Sequence, residues 1–128
     1  MDTVAQHYPP PLKPEEPAMR FDSGKLRYDL IPTGPLKALA EVYTRGAEKY
    51  APENWRKGMS FSRMIGPLFR HLEAWRAGES HDPDTGCHHL AQVVWNAMCL
   101  IEFEQTHPEL DDRVKWVLTV LEKEYRNT

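Results

Sequence analysis

Residues 86–104 read GCHHLAQVVWNAMCLIEFE. Placed on a helix, Leu90, Ala91, Val93, Val94, Trp95, Ala97, Met98, Leu100, Ile101 and Phe103 cover nearly the whole circumference. A helix that is apolar all round is a buried one. This segment is therefore expected at the centre of the fold, covered by the domain's own helices and by another subunit. The main polar interruptions are His89, Gln92 and Asn96, which fall at i, i+3 and i+7 and form one stripe. Burying such groups without partners costs ~1–3 kcal/mol each. The stripe is thus either an internal hydrogen-bond network or the wall of a polar cleft.

Three further helices surround this one in the chain. Upstream, Leu36, Leu39, Ala40, Tyr43, Ala47 and Tyr50 share a face at helical spacing. That helix starts at Thr33 or Gly34, carries Pro35 in its first turn and ends before Pro52. A second helix starts near Ser60 or Ser62, with Phe61, Met64, Ile65, Leu68, Leu72 and Trp75 on its face and Gly78 as its stop. Pro67 removes one backbone donor inside it, which predicts a kink or a later start. Downstream, Thr106 is expected to cap a fourth helix with the face Leu110, Val114, Val117, Leu118, Leu121 and Tyr125. No stretch alternates as a strand, so the fold class is all-α.

Residues 1–18 hold five of the eleven prolines and read as a flexible tail, leaving 19–128 as one domain. Residues 19–34, MRFDSGKLRYDLIPTG, read as an extended arm. At 128 residues with 41% hydrophobic side chains, the chain is a globular domain. A net charge of −3 argues against a nucleic-acid polymer as partner. No apolar run reaches the ~20 residues of a membrane span, and the N-terminus lacks a signal pattern, so a cytoplasmic location is expected. Cys87 and Cys99 fall in the same expected helix, ~18 Å apart at ~1.5 Å per residue, and are read as free thiols.

Candidate chemistry concentrates between residues 71 and 89. His71, His81, His88 and His89 share that window with Glu73, Glu79, Asp82 and Asp84. Carboxylate oxygens and neutral imidazoles suit Mg²⁺ or Mn²⁺. The alternative is a solvated charged loop. Arg70, with Lys25 and Lys49, could hold phosphate oxygens, or each could be an ordinary surface charge. Trp55 could stack on a base and Asn54 bond its edge, or Trp55 could be core. His81-Asp82, with His71, also invites a His-Asp type phosphohydrolase reading.

The pieces FDSGKLRYDLIP, GAEKY, NWRKG, RHLEAW, GESHDPDTG and HHLAQ occur in this order over roughly residues 20–104. In that order they resemble the phage dATP/dGTP diphosphohydrolases, MazG-like nucleotide pyrophosphohydrolases, and within them the group that serves genomes carrying 2-aminoadenine. The GExxDxxTGxxH pattern of that group is matched by Gly78, Glu79, Asp82, Thr85, Gly86 and His89. The resemblance implies a MazG-like four-helix domain in a homo-oligomer, dimer or tetramer. It implies hydrolysis of dGTP to dGMP, and of dATP to dAMP, with release of pyrophosphate. Two or more divalent ions, Mg²⁺ or Mn²⁺, are expected, with Glu79, Asp82, Asp84 and His89 as metal ligands and Glu79, Asp82 and His89 as the catalytic set. Lys25, Lys49, Arg70 and His71 are then expected on phosphates, and Tyr50, Asn54, Trp55 and Asn96 on sugar or base. The competing reading is a non-catalytic helical module that binds a partner or an ion.

Overall fold

A computed structural model of the chain describes Pro10 and residues 15–127, except for the side chains of residues 114–118. Four α-helices follow one another: α1 (Thr33–Lys49), α2 (Phe61–Arg76), α3 (His89–Thr106) and α4 (Arg113–Arg126). Short 3₁₀ turns occupy Tyr28–Leu30, Asn54–Lys57 and Pro108–Leu110. Among the described residues there is no strand, only a single antiparallel bridge between His81 and His88. The all-α fold read from the sequence is the fold observed. The expected tail lies mostly outside the described residues, as do the side chains of Val114, Val117 and Leu118.

The chain divides into two compact units, residues up to Leu30 and residues from Ile31 onward. In the first, Gly24 turns the backbone with a positive φ, and the Lys25 N–H donates to the Asp22 carbonyl. Arg27 grips Asp29 through two parallel hydrogen bonds of 2.9 and 2.8 Å. The four helices make up the second unit.

There α3 packs against both α2 and α1. Phe61, Met64, Cys99 and Phe103 form the fully enclosed core, and Trp55, Met59, Trp95, Leu100 and Leu110 pack around it. Phe61 and Phe103 stack at 6.3 Å between ring centroids. Tyr43 of α1 presents its ring edge-on to both Trp55 and Trp95. Burial pushes the Cys99 thiol up to about 12, so it stays protonated and serves as a small apolar group. Burial, with Cys99 alongside, also pushes the Tyr43 hydroxyl up to about 12.

Helix α2 starts where expected, and two other boundaries differ from expectation. Helix α2 runs unbroken through Pro67 from Phe61. Its start is not delayed, and the residue before the proline is Gly66, whose missing side chain eases the usual clash. Helix α3 begins at His89, not near Gly86, because the His88 ring caps it by accepting the Leu90 N–H at 3.0 Å. Cys87 therefore sits in the preceding loop, buried. Thr106 is the last residue of α3 rather than a cap for the fourth helix, and its hydroxyl donates to the Glu102 carbonyl one turn back. Pro108 cannot donate a backbone bond and holds His107 out of helical geometry. The chain makes one 3₁₀ turn there and starts α4 only at Arg113. Within this chain the burial of α3 is also incomplete: Val94, Met98 and Ile101 are 45%, 43% and 67% exposed along one stripe.

Candidate metal centre

The end of α2 aims the chain back toward the start of α3. Gly78 takes a φ of +106°, which a side chain would resist, and the Glu79 N–H closes the turn on the Ala74 carbonyl. A tight hairpin follows. The Asp82 N–H donates to the Cys87 carbonyl at 2.8 Å, and the His89 N–H donates to the Ser80 carbonyl at 2.9 Å. At its tip the Gly86 N–H reaches the Asp82 carbonyl, and Gly86 again has positive φ. The polar run GESHDPDTG thus turns at Gly78 and Gly86, is pinned by bonds to its flanking residues, and delivers Asp82 to the N-terminal end of α3.

Three ligand-type side chains converge there. His71 from α2, Asp82 from the hairpin and His89 from α3 each place one potential ligand atom within 4.8 Å of the others. Nδ1 of His71 lies 2.9 Å from Nδ1 of His89. Two nitrogens held at right angles, ~2.1 Å from one ion, stand about 3 Å apart, so this spacing fits a shared cation. Other groups hold two of these side chains, His89 and Asp82, from behind. Glu79 Oε1 lies 2.6 Å from Nε2 of His89, which is 4% exposed. One Asp82 oxygen accepts the Asp84 N–H at 2.9 Å and the other accepts the Gln92 amide at 3.2 Å.

The protonation states suit a cation. Burial, and after it the neighbouring His89, hold His71 below the ordinary histidine range, which keeps its imidazole neutral. Partial burial pushes Asp82 upward, but the Asp84 N–H, the Gln92 amide and the two histidines outweigh it, so its carboxyl is held below the usual range. Neutral imidazole and ionised carboxylate are the forms that bind metal.

The polar stripe of α3 is accounted for. His89 faces His71 and Glu79, Gln92 steadies Asp82, and the buried Asn96 amide donates to the Gln92 carbonyl at 2.8 Å. Among the expected metal ligands, Asp82 and His89 lie in the cluster, Glu79 stands behind His89, and Asp84 is exposed and reaches Asp82 through its backbone. His71, expected on a phosphate, is the third member of the cluster. Arg70 precedes it on α2 and is exposed. Lys25 belongs to the first compact unit. Lys49 and Tyr50 are exposed at the end of α1, the ammonium 5.2 Å from the ring centre. Asn54 and Trp55 are half-buried, and Trp55 packs 6.2 Å from Phe103. Phe103 lies fourteen residues beyond His89, ~21 Å along the helix at ~1.5 Å per residue, so Trp55 belongs to the opposite end of α3. Gln92 was absent from the candidate ligands and substrate contacts. Its spacing of three from His89, on the same face, was the signal that could have placed it there.

An all-α domain in which an acidic hairpin meets two helix-borne histidines defines a helical protein with a candidate cation site. The chain belongs to the family described as dATP/dGTP diphosphohydrolase, N-terminal, which it matches over residues 15–113, a span that includes the whole cluster. A dATP/dGTP diphosphohydrolase of Salmonella phage PMBT28 is 30% identical over 102 residues, covering 80% of this chain and 34% of the relative. The chain thus spans about a third of that relative's length. No solved structure matches it.

Proposed function

We propose that this chain is a metal-dependent pyrophosphohydrolase domain acting on the purine deoxynucleoside triphosphates dGTP and dATP. The observation that carries the reading is the convergence of His71, Asp82 and His89, inside the segment shared with the diphosphohydrolase family. Those three side chains would hold a divalent ion, Mg²⁺ or Mn²⁺. Such an ion lowers the pKa of water and neutralises charge on a phosphoryl group. Any second ion would arrive with the triphosphate, because the described residues offer one such cluster.

In this reading water attacks the α-phosphorus. The bond from that phosphorus to the bridging oxygen breaks, and pyrophosphate leaves with the electron pair. Asp82 keeps its charge through the reaction because the Gln92 amide and the Asp84 N–H hold it ionised. Arg70, next to His71, is the proposed contact for the departing phosphates. An apolar cavity of about 530 Å³, lined by Leu36, Leu39, Leu90, Ala91, Val94 and His88 among others, offers a wall for the purine ring. The exposed stripe on α3 supports a homo-oligomer. Among the described residues no helix is long and apolar enough to cross a membrane, and the proposed site of action is the cytoplasm of a phage host. In a phage whose genome carries 2-aminoadenine, converting dGTP to dGMP would feed the modified nucleotide, and hydrolysing dATP would deplete the one it replaces.

The test is product analysis. Incubation with dGTP and Mn²⁺ or Mg²⁺ is expected to yield dGMP and pyrophosphate, and Asp82→Asn is expected to abolish turnover while the far-UV circular dichroism stays unchanged. Deoxyguanosine with triphosphate, or inorganic phosphate alone, would replace this reading with another phosphohydrolase. Intact dGTP under all conditions would leave a non-catalytic module.

A further inference from the structure

The proposed metal site contains more information than its three ligands. We infer that Glu79 is a positioning residue that fixes the tautomer of His89, and that it thereby makes the site a two-nitrogen, one-carboxylate centre selective for first-row transition ions over Mg²⁺. The inference rests on the reading of His71, Asp82 and His89 as the metal ligands.

The argument starts from the hydrogen bond at 2.6 Å between Glu79 Oε1 and His89 Nε2. A carboxylate only accepts, so Nε2 carries the ring proton of His89. Its lone pair is then on Nδ1, which faces Nδ1 of His71 at 2.9 Å. Without an ion, His71 donates its Nδ1–H into that lone pair. Moving the His71 proton to Nε2 leaves two nitrogen lone pairs directed into the same small volume, beside Asp82. The roles of the two acids differ accordingly. Asp82 stands among the ligand atoms, whereas Glu79 faces the far nitrogen of His89 and is about half exposed. A carboxylate behind a ligating histidine orients the ring and raises its basicity.

This geometry also sorts the cations. Mg²⁺ takes oxygen ligands and gives up water reluctantly. Imidazole nitrogen favours first-row transition ions, and a two-histidine, one-carboxylate face is a recurrent arrangement for them. Two of the three ligands here are imidazoles.

The experiment titrates the metal-free full chain with MnCl₂ and follows free Mn²⁺ by electron paramagnetic resonance. One Mn²⁺ per chain is expected to bind, and a hundredfold excess of MgCl₂ is expected not to displace it. Glu79→Gln keeps a carbonyl that can accept the Nε2–H but removes the charge, so Mn²⁺ affinity should fall ~10–100-fold with the melting temperature of the metal-free protein unchanged. Glu73→Gln, which removes an exposed charge from α2, should leave the affinity as it was. Long-range ¹H–¹⁵N spectra of the metal-free wild type should show His89 protonated at Nε2, a readout that does not depend on the variant folding. Equal displacement by Mg²⁺, unchanged affinity in Glu79→Gln, or an Nδ1–H tautomer would overturn the inference while leaving the metal site intact. If Mn²⁺ binds neither the wild type nor Asp82→Asn, the site itself is wrong. If Mn²⁺ binds as described but no dNTP is hydrolysed, the proposed activity falls and the metal centre stands.

Discussion

His107 shows how much one side chain can fix. Its Nε2–H donates to the Arg56 carbonyl at 2.8 Å, its Nδ1 lies 3.2 Å from Glu109, and its ring packs edge-on against Phe103. These bonds join the loop after α1 to the end of α3. The Arg56 carbonyl first, and then Glu109, hold the imidazole above its usual range, whereas a hydrogen bond from its own backbone, and after it His107, hold Glu109 below the carboxylate range. A raised histidine stabilises the fold fully below its unfolded value of about 6.5 and loses that contribution as pH rises through the folded value. The lowered Glu109 contributes above about 4.3 and loses its share on acidification. The melting-temperature gap between wild type and His107→Gln should therefore be widest in mildly acid solution and narrow above neutrality. Gly58 belongs to the same joint. It has φ +80°, and a Cβ there would lie 2.7 Å from the fixed imidazole. Gly58→Ala combines backbone strain with a clash and should cost about 1–3 kcal/mol in chemical denaturation.

At the scale of elements, the helices were legible and their ends were not. Spacing and stop residues placed α1 and α2 to within a residue or two, because Pro52 and Gly78 act locally. The junction between α3 and α4 escaped because a threonine before Pro-Glu looks like a cap, while Pro108 only permits a 3₁₀ turn. The site divides the same way. His71, Asp82 and His89 all stand in one dense polar window of the sequence, but which of its many acids and histidines meet is decided by the packing of α2 on α3. The capping of α2 was equally hidden. Ser60 makes no side-chain cap, and the Ser62 N–H donates instead to Asp112, fifty residues away, which also accepts the Ser62 hydroxyl. The Ser62 hydroxyl and then its N–H hold Asp112 below the carboxylate range. A lowered acid contributes above its unfolded value of about 3.9 and stops contributing as pH falls through the folded one. Asp112→Ala should therefore lower the denaturation midpoint at pH 7, and the difference from wild type should shrink near pH 3. A constant difference across that range would mean that Asp112 acts through packing and not through its charge.

For the whole molecule the open question is what covers α3. Val94, Met98 and Ile101 follow one another at i, i+4 and i+7, the spacing of a single helix face, and each is more than 40% exposed. Fully burying side chains of this kind stabilises by ~1.5–3 kcal/mol each. The other helices leave this stripe exposed: α1 and α2 pack on α3, α4 touches α2, and Met98 and Ile101 stay uncovered. A second copy of the same chain can cover the stripe by two-fold symmetry, presenting the same three residues to each other. Light scattering at micromolar concentration should then give a mass at least twice the 14.9 kDa of one chain. Ile101→Glu should shift it toward a single chain, because a charge placed on that face would be desolvated in the assembly. The cluster proposed to bind metal lies about three turns from Ile101, at the start of α3, so Mn²⁺ affinity separates two outcomes: a variant that dissociates and still binds the ion has lost an interface alone, whereas one that loses both draws the proposed metal site partly from the assembly. A wild-type mass near that of one chain would rule out the homo-oligomer and leave the stripe exposed.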